Sequence, residues 1–122
     1  GIRPESTSTE AQAGDLTINV AEKTTLNDSR ILNQVNTGGV GNSGKITINT
    51  GSIEAINGGQ VSASTFGLGN AGTVDITATG NVTIDGETSQ GFVSGVFSQV
   101  NSGAEGNAAG VTIDTANLTV TN

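Results

Sequence analysis

Asn70-Ala71-Gly72-Thr73-Val74-Asp75-Ile76 is one of four copies of a single pattern. Before it stand Gln12-Ala13-Gly14-Asp15-Leu16-Thr17-Ile18 and Asn42-Ser43-Gly44-Lys45-Ile46-Thr47-Ile48, and after it Asn107-Ala108-Ala109-Gly110-Val111-Thr112-Ile113. Between the closing isoleucines the steps are 30, 28 and 37 residues. Each copy ends in two aliphatics separated by one polar residue, the period of a strand with one face buried. Ala109 stands where the other copies carry glycine, so the fourth turn should have a different backbone or a register shifted by one.

Working outward, each step holds two further strand-like pieces. The second comprises Thr24/Leu26, Ile53/Ala55, Val82/Ile84 and Leu118/Val120. The third starts at Ile31, Val61 and Val96 and continues through Asn33/Val35, Ala63/Thr65 and Ser98/Val100. No amphipathic helical stretch of useful length competes with them. Three short strands per repeat, joined by turns rich in Gly, Asn and Ser, predict an all-β, right-handed parallel β-helix (a β-solenoid) of about three to four triangular coils. Coils start near residues 12, 42, 70 and 107. Residues 12–122 form the repeats, and residues 1–11 read as the tail of a preceding coil or an end cover. The predicted dry column contains Leu16, Ile18, Ile46, Ile48, Val74, Ile76, Val111 and Ile113.

The step of 37 has a local cause: Val82 to Val96 spans 14 residues against 8 from Ile53 to Val61, which places an inserted loop near 85–95. Insertions in a solenoid protrude from one face and often carry binding. Phe92, with Phe97 close by, is therefore a candidate partner contact. The simpler expectation is that Phe92 folds the loop back on the coils and Phe97 caps a corner.

Composition agrees with stacked small side chains. Among 122 residues there are 19 glycines, one proline (Pro4) and three aromatics (Phe66, Phe92, Phe97), with no Cys, Met, Trp, Tyr or His. Low aromatic content also marks disordered chains. Here, however, the aliphatics recur at fixed spacing, as a repeated core requires. The net charge of -7 excludes a nucleic-acid phosphate partner, which demands Lys and Arg. It also disfavours anionic membrane surfaces. No run of about 18 apolar residues provides a membrane span. No signal peptide and no initiating Met are visible, so an export signal would lie outside this stretch.

Gln60-Val61-Ser62-Ala63-Ser64-Thr65-Phe66-Gly67-Leu68-Gly69-Asn70-Ala71-Gly72 resembles the repeats of filamentous-haemagglutinin-like exoproteins of the two-partner secretion type, abundant in cyanobacteria. The resemblance covers the chain from about Ala11 to Val120. It implies a long right-handed β-helix exported through an outer-membrane secretion partner; the expected role is that of a structural or adhesive module at the bacterial surface, with host-cell or surface glycans as candidate partners. The secretion domain of that family is not visible in these residues.

Other motifs read as structural. Gly67-Leu68-Gly69-Asn70-Ala71-Gly72 and Gly39-Val40-Gly41-Asn42-Ser43-Gly44 match G-x-G-x-x-G, but β-rich sequence follows where a dinucleotide site needs a helix. Asn42, Asn70 and Asn107 share a column, as either a side-chain ladder or simple turn formers. The repeats lack the Asp of calcium-binding β-rolls, although Asp85 and Glu87 leave an adventitious surface cation open. No cofactor is implied. Asp75, Asp85, Glu87, Asp114 and Glu54 are the acids available to a polysaccharide-cleaving site, without His, Trp or Tyr beside them, so a non-catalytic chain is expected. The outward columns Thr17/Thr47/Asp75/Thr112 and Asn19/Asn49/Thr77/Asp114 raise an ice- or glycan-binding face as the alternative. The Asn-x-Ser/Thr triplets at Asn27, Asn81 and Asn117 read as chance. The fourth repeat breaks off at Asn122 without a convincing cap, which suggests flanking coils or further copies stacked end to end into a rod.

Overall fold

A computed structural model describes Ile2, Glu5, Ser6 and residues 13–122, with Glu5 and Ser6 by backbone alone. Gln12 and most of the segment expected to form a tail or end cover lie outside the described residues. The strands are β1 (Glu5–Ser6), β2 (Leu16–Asn19), β3 (Lys23–Asn27), β4 (Arg30–Val35), β5 (Ile46–Thr50), β6 (Ser52–Ile56), β7 (Gln60–Thr65), β8 (Val74–Asp85), β9 (Gly95–Val100) and β10 (Val111–Thr121). There is no helix among the described residues.

Every strand pairing is parallel, and partners lie one repeat apart. Leu16 faces Ile46, Ile46 faces Val74, and Val74 faces Val111. Likewise Thr24, Ile53, Val82 and Leu118 form one column, and Ile31, Val61 and Val96 another. A one-residue slip would turn each apolar set to water, so burial of one face holds the register. The result is all-β and compatible with a solenoid.

Two features depart from three separate strands around a triangle. The third pieces form a four-stranded sheet ordered β1-β4-β7-β9. The first and second pieces share a single curled sheet, because β8 and β10 run through the bend that separates β5 from β6. The bend persists as a register irregularity between Thr115 and Asn117.

The core is a column of aliphatics in which Ile46, Ile48 and Val74 are fully buried and Ile76, Ile53 and Val82 nearly so. Leu16, Ile18 and Ile113 pack against it half-buried. Val111 shares the column's register but is 41% exposed, as its strand β10 pairs with β8 alone. The strict inward/outward alternation expected of the third strands also fails. Leu32, Ser62 and Ser64 point away from the core yet are buried. Small Ser62 lies between Leu32 and Phe97 in its column, and Ser64 between Gln34 and Gln99, so larger neighbours above and below shade them.

The fourth turn keeps its register. Asn107 bonds to Asn70 and Val111 faces Val74, so Ala109 falls over Gly72 without a slip. At Gly72 itself a Cβ would lie 2.0 Å from the Gly44 carbonyl oxygen, which is why glycine is needed there.

Ile48→Ala should cost about 2–5 kcal/mol of stability, because the column cannot close over the missing atoms. Val120→Ala, at a side chain 64% exposed, should stay within about 0.5 kcal/mol. Urea unfolding with an unchanged slope checks both.

Candidate functional site

The side chains with a chemical task in this molecule lie mostly along the stacking axis. At the corner preceding the first strand, a side chain accepts a backbone N–H of the next coil, and at two of these corners it also donates to a carbonyl of the coil beneath. Asn33, wholly buried, donates to the Gly14 carbonyl at 2.8 Å and accepts from the Gly44 N–H at 3.1 Å. One coil up, its column mate is Ala63, which has no polar atom. There the Ser43 hydroxyl accepts from Gly72 N–H at 2.6 Å. In the next coil Ser98 donates to the Gly72 carbonyl and accepts from Ala109 N–H, both at 2.9 Å. Three different side chains thus fill one recurring gap, as buried backbone polar groups require.

Asparagines repeat on the outside. The Asn42/Asn70/Asn107 column is a ladder of a different kind from the expected stack of amides. Asn42 Oδ1 accepts the backbone N–H of Asn70 at 2.8 Å, and Asn70 Oδ1 that of Asn107 at 2.9 Å. True amide-to-amide ladders occur elsewhere. Asn49 donates to Asn19, Asn57 to Asn27, and Asn117 to Asn81, at 2.9–3.1 Å. In each, the later coil donates to the earlier one. The shared column of Asn19 and Asn49 was legible, but not the direction of its hydrogen bond.

The acids are likewise engaged along the axis. Asp15 accepts the Lys45 N–H, Asp75 pairs with Lys45 Nζ at 2.6 Å, and Glu54 pairs with Lys23 at 2.8 Å. The Asp75 hydrogen bond and its negative charge, with a smaller contribution from Asp15, raise the Lys45 pKa above its ordinary 10.5. Asp85 Oδ1 accepts the Thr121 hydroxyl. Glu87 lies in a polar hollow with Asp28, Asn57 and Thr88. No three His, Cys, Asp or Glu side chains among the described residues converge as metal ligands.

The insert at 85–95 is a tight hairpin. Glu87 bridges Val93 antiparallel, and Gly91 N–H bonds to the Thr88 carbonyl. It lies back against earlier coils: Ser94 Oγ accepts Gly58 N–H at 2.9 Å, and Gln60 Nε2 donates to the Val93 carbonyl at 2.8 Å. Phe92, 50% exposed, presents its ring to the Arg30 guanidinium at 4.7 Å, a cation–π contact with the first coil. Phe97 takes a separate place, half-buried on β9 with its ring lying over Gly95 of its own strand.

A second concave surface lies at the bend of the curled sheet. A groove of about 460 Å³ follows the bend of the curled sheet, lined by Asn19, Ala21, Asn49, Gly51, Thr77 and Thr79 among others. It crosses three coils and offers amides and hydroxyls over an apolar floor.

No protein-family model matches the chain, and no curated protein and no solved structure is recognisably similar to it.

Asn33→Ala should cost about 1–3 kcal/mol for each backbone group left unpaired, whereas Asn33→Ser should recover part of that loss; chemical denaturation of the two variants is the check. Lys45 binds its proton more tightly folded than unfolded, so the stability it adds is complete below about 10.5 and disappears as pH rises through the higher folded value. Melting temperatures across that alkaline range should therefore fall less in Lys45→Gln than in the parent chain.

Proposed function

We propose that this chain is a non-catalytic stretch of a right-handed parallel β-helix, serving as a structural or adhesive module of a secreted, cell-surface bacterial protein. The single observation that carries the reading is the axial register held within each aliphatic column. Columns such as Leu16, Ile46, Val74 and Val111 repeat without a slip even where the chain inserts a hairpin. A ladder that continues from coil to coil makes an element whose length is set by repeat number. Outward Thr, Asn and Ser keep such an element solvated, and the charge of -7 discourages lateral clumping. Its immediate partners are further coils of the same kind, in flanking sequence or in other copies. Resemblance to two-partner secretion exoproteins adds export through an outer-membrane partner.

A non-catalytic role accords with what the acids do. Asp15, Asp75, Glu54 and Asp85 are occupied by bonds to the neighbouring coil. The groove at the bend favours one second reading, contact with a host-cell or surface glycan, since its amides and hydroxyls suit sugar hydroxyls. An ice-organising face is less well supported, as the Lys45–Asp75 pair interrupts the column of Thr17, Thr47 and Thr112.

The purified chain should resist proteolysis, leave acidic polysaccharides intact and show no thermal hysteresis. If it binds on a glycan array, Asn49→Ala and Thr77→Ala should weaken that binding. Turnover of an acidic polysaccharide, abolished in Asp75→Asn or Asp85→Asn, would refute the non-catalytic reading.

A further inference from the structure

We infer that Asn57 is a self-modification site, at which the Gly58 nitrogen displaces the side-chain amide whenever the hairpin at 85–95 lifts, and that Ser94 of the hairpin holds this reaction off. The inference stands apart from whether the chain spaces or adheres. Asn57-Gly58 is the sole Asn-Gly step in the sequence. Such a pair loses its amide readily, because glycine sets no side chain beside the attacking nitrogen. The Gly58 nitrogen bonds to Asn57 Cγ, and a five-membered succinimide closes. The Cγ–Nδ2 bond breaks, and Nδ2 leaves as ammonia with the proton that Gly58 gives up. Water then opens the ring at either carbonyl. One opening leaves aspartate. The other leaves isoaspartate, in which the main chain runs through the former side chain.

Two constraints keep this labile pair in place. Asn57 and Gly58 both take left-handed conformations, with φ of 49° and 83°, which asparagine and glycine accept most readily. A side chain at position 58 would also run into the Thr88 methyl and the Phe92 carbonyl of the hairpin. The turn and the docked hairpin therefore both select Gly58.

In the folded chain both reacting groups are engaged elsewhere. Gly58 N–H donates to Ser94 Oγ at 2.9 Å, and the Ser94 hydroxyl donates its own proton to the Asp85 carbonyl at 2.8 Å. The serine oxygen is thereby left as an acceptor toward Gly58. The Asn57 amide donates to Asn27 Oδ1 in the coil beneath at 3.1 Å, and Asn57 N–H is tied to the Asp85 carbonyl at 3.0 Å. Gly58 is buried, whereas Asn57 is exposed in the polar hollow that Glu87 and Thr88 also line, so water reaches the ring once it forms. Lifting the hairpin removes Ser94 and frees the nitrogen. The product adds a carboxylate to a hollow that already holds Asp28 and Glu87, which opposes the hairpin's return. Because ammonia is lost, the change accumulates in one direction and records the copies whose hairpin has opened.

The test is peptide mapping by mass spectrometry on the purified chain held at mildly alkaline pH, with matched samples in urea and circular dichroism to check folding. In urea Asn57 should convert to the acid faster than any other asparagine. In native buffer its conversion should be much slower. Ser94→Ala should speed the native reaction about fivefold, the effect of one hydrogen bond on a local opening, and leave the rate in urea unchanged. Arg30→Gln removes the ring contact of Phe92 while touching neither reacting group. It should speed the native reaction in the same direction, and it serves if Ser94→Ala does not fold. Another asparagine converting first in urea would overturn the site. An Asn57 that converts as fast folded as unfolded, or folded Ser94→Ala and Arg30→Gln chains that keep the parent rate, would overturn the hairpin's control of it.

Discussion

The main-chain ladder between coils bears most of this structure, and at one corner that ladder is incomplete. Stacking puts donors and acceptors of successive coils in line at about 4.8 Å. At the corner before each first strand the backbone does not close on itself, and a buried group left unpaired there would cost more than a typical hydrogen bond returns. The molecule solves this with Asn33, Ser43 and Ser98, drawn from two different columns. Where one column supplies alanine, as at Ala63, the other supplies serine. Two positions on separate strands are thereby coupled, and neither can be changed as though it were alone.

The periodic part of this architecture was legible in the residues. Four copies of one motif, with aliphatics two apart, gave the parallel register of Leu16, Ile46, Val74 and Val111 and the position of the insert. The departures have physical causes that a pattern does not carry. Buried Ser62 and Ser64 look solvent-facing by alternation and are hidden only because Leu32, Phe97 and the two glutamines flank them along the axis. The separate first and second strands merge in β8 and β10, because a bend does not oblige the ladder to stop. Asn33 looks in sequence like one more column member, since nothing in its own strand signals a gap on another. Of the outer surface, the shared Asn and Thr columns were visible, whereas the concavity they line follows from sheet curvature.

The outer surface also shows why so few charges suffice. Among the described residues, the ion pairs of Lys23 with Glu54 and of Lys45 with Asp75 each link consecutive coils. Exposed pairs contribute little each. Their placement along the axis nonetheless favours one register over its neighbours, as do the amide ladders. The hairpin is held without a core of its own: a guanidinium–ring contact, side-chain bonds at Gly58 and Gln60, and backbone bonds to Asn57 and Gly59 fasten it to the earlier coils. That leaves Phe92 half in water, available at the side of the stack without burdening its core.

Because the strand ladders join successive coils along the stack, the molecule's response to force depends on direction. Compression or bending loads many ladders together, and the chain is stiff. Tension applied at one chain end instead peels the outermost coil, breaking its bonds a few at a time, in the way a zip opens. Each coil released pays out a full repeat of chain, 28 to 37 residues, before the next is loaded. A tether built this way yields by steps and lengthens greatly at nearly constant force, absorbing work that would otherwise reach whatever holds its far end.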